Sequence, residues 1–386
     1  MTRRERMDRA MRPRGGLLPD RVPVMCQLSL GHYFLHAGLD AIEIWHDTAA
    51  FGDALVTLQR RYGFDGILVN LPGRDPHWRA ALRSIEPHGR DRVLHWKNGY
   101  VTVAPPDDNP HVYRKGASEA TRPAFTDLEP DRLFYIEPHG PFGVTWGGAP
   151  AFPPFQHDTV RYVREHAPDV SVHGEVFSPF SQWLELLDHA QALMALIEDP
   201  GKVAACLDRL ADGAVTLGRG QADAGADAVL ISSAFAGAGF ISPRQYRTFV
   251  LPFERKVIAG IKAAHPGLPV YTHTCGAIGD RLELMEETGT DGIDTLDPPP
   301  LGTVELADAK RRLGERLFIK GNLDPVGTLL QGTPAQCYDE ARDRIDAAKA
   351  GGGYVLSSAC SVAPHTPPEN ILQLLRAAED DGVYDR

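Results

Sequence analysis

Apolar and polar positions along the chain alternate between two rhythms. Short apolar runs bounded by turn residues read as strands, and longer stretches with apolar residues three and four apart read as helices. Met7, Ala10 and Met11 fall at helical spacing near the start. Val22–Leu28 then reads as a buried strand after Pro19, Thr48–Tyr62 as a helix stopped by Gly63, and Asp65–Leu71 as a second strand. The same rhythm continues with strand-like runs at Val170–Val176, Ala228–Ile231, Leu268–His273, Gly292–Leu296, Leu317–Lys320 and Tyr354–Leu356. Helical patterns lie between them at Ser181–Glu198, Val203–Ala224, Pro243–Ala264 and Pro334–Ala348, with stop signals such as Gly225 and Pro266. Strand alternating with helix implies a parallel sheet, and eight such units predict an α/β fold of the closed (β/α)8, TIM-barrel kind.

From about Arg92 to Pro153 the rhythm breaks, and the chain turns rich in Pro, Gly and Asp. Lys97-Asn98-Gly99, set between the alternating residues of Val93–Val103, predicts a β-hairpin there. We read 92–153 as an insertion on a single domain covering 1–386, since no Ser/Gly linker or low-complexity tract separates the parts.

Composition narrows the function classes. The 386 residues carry 40 Lys+Arg against 51 Asp+Glu, a net charge of −11, which disfavours a nucleic-acid partner. No apolar run is long enough to span a bilayer, and no apolar segment follows the basic N-terminus as a signal peptide requires. Five cysteines suit a reduced, cytoplasmic protein better than a disulfide framework.

The chemistry concentrates at predicted strand ends. His273 and Cys275, two residues apart, project to one side of the chain. Cys360 lies just beyond the Tyr354–Leu356 strand, so a barrel brings it to the same face, where active sites of this fold sit. One imidazole and two thiolates suit Zn²⁺ with an open fourth position. Each of the three taken alone reads first as a buried core residue, and it is their shared face that brings the metal reading level with it. Glu175, Asp294, Asp297, Asn322 and Asp324 fall at the same face, as a further ligand, an orienting partner for His273, a general acid, or simple loop caps. Gly351-Gly352-Gly353 precedes a strand and is no phosphate loop, Gly237-Ala-Gly239 lacks the remaining glycine of a dinucleotide fingerprint, and Ser232-Ser233 has no nucleophile elbow around it.

With these residues in view, the chain resembles the uroporphyrinogen decarboxylase superfamily, and within it the zinc-dependent corrinoid methyltransferase branch. The resemblance is carried by Thr2-Arg-Arg-Glu-Arg6 with Leu18-Pro-Asp-Arg-Val-Pro-Val24, then Gly174-Glu-Val-Phe-Ser-Pro-Phe180 and Glu198-Asp-Pro200. Its most specific parts are Tyr271-Thr-His-Thr-Cys-Gly276, Lys320-Gly-Asn-Leu-Asp-Pro325, and Cys360 ahead of Pro364-His-Thr-Pro-Pro-Glu-Asn370. It implies a barrel fold, His273, Cys275 and Cys360 as zinc ligands, and methyl transfer between a small methylated substrate, or a thiol acceptor, and a corrinoid. Glu175 and Asp297 are then the expected catalytic carboxyls, and His32, Tyr33, Asn322, Asp324 and His365 the expected substrate contacts. Trp96, Trp146 and Trp183 are compatible with an uncharged substrate but read first as core or rim residues. The chain lacks the D-x-H-x-x-G element that ligates cobalt, so the cobalamin is expected from a separate corrinoid protein or from solution. The decarboxylase branch expects an arginine pair where this chain reads Gln27-Leu-Ser-Leu-Gly-His-Tyr33. A metal-free decarboxylase-like lyase, or a small-molecule-binding barrel, is the alternative.

Overall fold

The computed structural model describes residues 1–13, 17–114, 122–136 and 151–385. Its strands, in chain order, are Gly66–Val69 (β1), Leu82–His88 (β2), Asp91–Trp96 (β3), Tyr100–Ala104 (β4), His111–Arg114 (β5), Ser171–Phe177 (β6), Ala228–Ser232 (β7), Val270–Thr274 (β8), Gly292–Thr295 (β9), Phe318–Leu323 (β10) and Tyr354–Ser358 (β11). Seven of them form one curled parallel sheet in the order β1-β6-β7-β8-β9-β10-β11, and β2 to β5 form a separate antiparallel sheet. The architecture is α/β, TIM-barrel-like and open by one stave.

That open stave corrects the sequence reading. Val22–Leu28, expected as the first of eight strands, makes only two isolated parallel bridges, Val24 with Leu356 and Leu28 with Val362. The cause is local. Pro23 has no N–H to give a ladder, and the Val24 N–H is taken at 2.8 Å by Oδ2 of Asp65 instead of by a strand carbonyl. Asp65 is wholly buried and held by Arg6 and Arg21. A side-chain bond thus replaces one ladder bond on the β1 side, while main-chain bonds such as Met25 N to Leu356 O and Leu356 N to Pro23 O keep the segment beside β11.

Helices cover the outer face. Thr48–Tyr62 forms as its pattern predicts: Asp47 caps its first turn through Ala50 N, and Gly63 ends it at φ 67°. Pro334–Ala348 starts on a capping box between Thr333 and Gln336. Two expected helices are broken. Ser181–Glu198 splits into Pro179–Leu186 and His189–Glu198, because Asp188 accepts from Gln191 N and starts a new helix. Pro243–Ala264 splits at Val250, where Pro252 follows without an N–H to continue the first helix.

Side-chain alternation sorts the sheet into an outer face and an interior. Leu68, Leu230, Tyr271, Phe318 and Val355, with Met25 and the N-terminal helix residues Met7, Ala10 and Met11, form one buried interior cluster. Val172, Ile293, Ile319 and Leu356 instead belong to the main core shared with the helices. Apolar side chains thus fill one end of the interior, and the positions nearer the C-terminal strand ends carry polar groups.

The Lys97-Asn98-Gly99 hairpin joins β3 to β4 antiparallel, with Gly99 at φ 87°. The antiparallel sheet begins at Leu82, ten residues ahead of the expected start of the insertion at 92. Trp78, Leu94, Trp96 and Ala104 pack on Ile42, so Trp96 is core, as is Trp183. Trp146 lies outside the described residues. No helix among the described residues is long and apolar enough to cross a membrane.

Candidate metal centre

His273 sits near the end of β8, Cys275 one residue beyond it, and Cys360 two residues beyond β11. The parallel sheet brings all three to its C-terminal edge, where their ligand atoms lie within 4.8 Å of one another. His273 Nε2 is 3.3 Å from Cys275 Sγ, and Cys275 Sγ is 3.6 Å from Cys360 Sγ. A tetrahedral ion with bonds of about 2.3 Å to sulfur and about 2.0 Å to nitrogen sets its ligands roughly 3.5–3.8 Å apart. The three side chains fit such an ion with little movement.

The imidazole is aimed by its neighbours. Register places His273 opposite Asp294, and the Nδ1–H of His273 faces Asp294 Oδ2 at 3.2 Å and Thr295 Oγ1 at 2.8 Å. Committing Nδ1 to these acceptors leaves Nε2 for the cysteine side, the arrangement in which a metal-ligating histidine is oriented by a carboxylate. Lys320 Nζ in turn donates to both oxygens of Asp294, at 2.9 and 3.0 Å, and all of these groups are buried. Burial disfavours the Asp294 carboxylate, but the Lys320 charge and the His273 hydrogen bond overcome it and lower its pKa. Burial likewise opposes charge on His273, and is outweighed by hydrogen bonds to Asp294 and Cys360. The Cys275 thiol donates to Cys360, which lowers the pKa of Cys360 and raises that of Cys275.

After β9 the chain turns sharply, with Thr295 at φ 86° and Leu296 at φ 53°. A β-branched residue in this region is strained and marks a place where the surroundings over-determine the backbone. The turn carries Asp297 back to the cluster, where its Oδ2 accepts from Gly276 N at 2.6 Å and its Oδ1 is buried without a partner. Burial raises the pKa of Asp297.

The other expected site residues divide. Glu175 is buried on the interior side of β6, near enough to Tyr271 for its charge to raise the tyrosine pKa. Asn322 is buried on β10 and donates Nδ2–H to Leu296 O at 2.7 Å. Asp324 caps the following turn through Val326 N and Gly327 N, which is the loop role. His32 is fully buried, with Nε2 2.7 Å from the Tyr62 hydroxyl and Nδ1 3.1 Å from Pro364 O, so it ties down the 363–364 loop. Tyr33 is buried edge-on against Phe51. His365 is exposed and meets Asp107 of the β4–β5 connection at 2.8 Å. Two participants had no role in the sequence reading, Lys320 and Thr295. A lysine on an otherwise apolar strand was the available signal for the first.

The family model for uroporphyrinogen decarboxylase matches residues 151–380, more than half of the chain, including His273, Cys275 and Cys360. The chain belongs to this family. A uroporphyrinogen decarboxylase of a Nostoc strain is 36% identical over 188 residues, 48% of this chain and 50% of that protein. That of Nostoc punctiforme is 34% identical over 183 residues, 47% and 48% respectively. The chain thus spans about half the length of the curated relatives it matches. Among solved structures, a methyltransferase from Methanosarcina mazei superposes with a TM-score of 0.73 at 19% identity, covering 98% of this chain and 99% of that one. This likeness establishes the fold across the N-terminal part that the family model leaves unmatched.

Proposed function

We propose that this member of the family is a zinc-dependent methyltransferase that moves a methyl group between a small methylated substrate and a corrinoid carried by a separate protein or free in solution. One observation carries the reading: an imidazole and two thiols converge at ligand spacing, with the second imidazole nitrogen already held by Asp294. His273, Cys275 and Cys360 would hold the ion. Zinc bound there supplies Lewis-acid activation of a thiol or of an ether oxygen at neutral pH. The protein's own groups do the rest. Asp294 and Thr295 fix the tautomer of His273, and Lys320 keeps Asp294 an acceptor. Asp297, with one unpartnered oxygen beside the cluster, and Glu175 on the interior wall are the carboxyls that carry the proton the donor heteroatom needs as its methyl group leaves. Asn322 lines the substrate side.

The relatives' names favour a second reading, a metal-free decarboxylase. The interior speaks against it. A substrate with several carboxylates needs unengaged cations, and Lys320 is already bound to both oxygens of Asp294.

Metal analysis under reducing conditions separates the two. The methyltransferase reading expects ~1 zinc per chain, lost in Cys360→Ser, and methylation of added cob(I)alamin by a methoxy or methylthio donor that depends on that zinc. A parent protein without metal overturns it and brings the decarboxylase reading forward.

A further inference from the structure

The two thiols at the metal centre are near enough to react with each other. Cys275 Sγ and Cys360 Sγ stand 3.6 Å apart. A disulfide holds its sulfurs at about 2.05 Å, so joining the pair takes a shift of about 1.5 Å, the scale of a side-chain rotation. Both residues lie in loops just beyond the ends of β8 and β11, where no strand ladder has to break for the sulfurs to move.

Exposure singles out the same pair. Of the five cysteines, Cys26, Cys206 and Cys337 are buried, whereas Cys275 and Cys360 are partly exposed. A small oxidant from solvent therefore meets these two sulfurs first, and whichever it oxidises has a second thiol at contact distance to resolve it. The third member of the cluster, His273, has no such chemistry. Oxidation thus removes two of the three candidate ligands in one event and leaves the imidazole alone.

We propose that Cys275 and Cys360 are a reversible oxidation site: in the metal-free protein a peroxide joins them as a disulfide, and the joined pair no longer binds an ion. The disulfide needs only the thiol spacing, and its consequence for the site rests on the metal reading. One sulfur attacks a peroxide oxygen, the O–O bond breaks, a sulfenic acid forms and water leaves. The second sulfur attacks the first, the S–S bond forms, the S–O bond breaks and a second water leaves. Two thiols have then given two electrons and two protons to one hydrogen peroxide. A thiol reductant reverses the change by exchange and is oxidised to its own disulfide.

The test treats the full chain, reduced and stripped of metal by a chelator, with stoichiometric hydrogen peroxide. Thiols titrated after denaturation are expected to fall from five to three, with the mass lowered by two hydrogens and peptide mapping placing the bond between Cys275 and Cys360. Dithiothreitol is expected to restore all five. Cys275→Ser and Cys360→Ser should each lack the bond and take up oxygen at the cysteine that remains. Five thiols persisting in excess peroxide overturn the proposal, as does oxygen gained by the parent without an S–S bond. So does a bond that maps to Cys26, whose sulfur lies 3.4 Å from Ser358 N, two residues before Cys360. Zinc supplied first, at about ten times its dissociation constant, should slow thiol loss about 10-fold, because only the metal-free pair reacts. Bond formation that zinc does not slow keeps the disulfide and removes the metal reading. Zinc that binds to a pair which never joins, with or without it, removes the disulfide alone.

Discussion

Asp294 Oδ2 stands 3.2 Å from His273 Nδ1 across two neighbouring strands, and Lys320 on the next strand grips the same carboxylate. Three adjacent strands thus hand a charge relation inward, from a buried ammonium through a carboxylate to the imidazole whose far nitrogen faces two thiols. The Lys320–Asp294 pair is nearly solvent-free, at 3% and 2% side-chain exposure. Such a pair is a poor source of net stability, since desolvation consumes most of its attraction. Its position behind a candidate ligand gives it a reason to exist.

Lys320→Met should therefore cost about 3–5 kcal/mol, the penalty of leaving the buried Asp294 charge without its ammonium partner, held only by His273 and by Thr295 N. Asp294→Asn combined with Lys320→Met should recover most of that loss. Zinc affinity should not recover with it: an amide oxygen orients the His273 N–H less strongly than a carboxylate, and a drop of about 10-fold or more is expected. Denaturant melts and a chelator competition on the same proteins check both halves. A double variant that regains stability and parental zinc affinity together would show that the pair is only structural.

The loop after β7 bears on the cluster from the other side. A Cβ on Gly237 would lie 2.5 Å from the Cys275 carbonyl oxygen, which is backbone and cannot swing away. Ala238 N donates to Ala277 O at 2.9 Å, and buried Arg281 holds the loop through Ala236 O and Ile241 O. Gly237→Ala should destabilise by about 1–3 kcal/mol and weaken zinc binding by displacing Cys275. Gly239→Ala, where nothing lies within 4 Å of the added methyl, is the matched control and should leave zinc binding unchanged.

His273 and Cys275 were legible in the sequence because alternation is local: two residues apart on a strand end is enough to make them converge. Cys360, 85 residues further along the chain from Cys275, became legible only through the alternation of strands and helices, which puts strand ends on one edge. Lys320 was visible as a letter of Lys320-Gly-Asn-Leu-Asp-Pro325, but its partner depends on register, Lys320 opposite Asp294, which no periodicity supplies. The open stave failed for a similar reason. Val22–Leu28 reads as a strand by composition, and the competitor for the Val24 N–H, Asp65, lies 41 residues away. His32 and Tyr33 were placed by likeness to relatives, whereas in this chain the ring of His32 is spent on Tyr62 and Pro364.

Asp65 carries the next expectation. Its oxygens accept from Arg6 Nη1 at 2.6 Å, Arg21 Nη1 at 2.9 Å and Val24 N at 2.8 Å, joining the N-terminal helix to the open edge of the sheet. Asp65→Ala leaves the poorly exposed Arg6 without one carboxylate and frees a buried N–H. A loss of about 3–5 kcal/mol is expected, with hydrogen-exchange protection falling first in residues 22–28. Uniform loss of protection across the sheet would show that this corner is not a separate closing element.

Glu254 makes one contribution to the pH dependence of the fold, opposite in sign to that of the buried histidines His32, His46 and His173, whose pKa values burial lowers. It is wholly buried on the helix Leu251–Ala264, where Ser233 Oγ donates to Oε1 at 2.5 Å and the Tyr246 hydroxyl to Oε2 at 3.3 Å. Burial pushes its pKa from 4.5 up to about 7, against the pull of those two hydrogen bonds. Between these values folded Glu254 holds a proton that it has released in the unfolded chain, so this group makes unfolding easier as pH rises. The stabilising contribution is complete below about pH 4.5, shrinks as pH climbs toward 7, and is gone above it, a change on the order of 3 kcal/mol. Glu254→Gln keeps an oxygen for the two hydroxyls and has no proton to lose. Its stability relative to the parent's should rise steadily as pH climbs over that interval and exceed it at pH 8, as measured by urea midpoints of both proteins in steps of half a pH unit. A variant with the parent's slope would place the titrating group elsewhere.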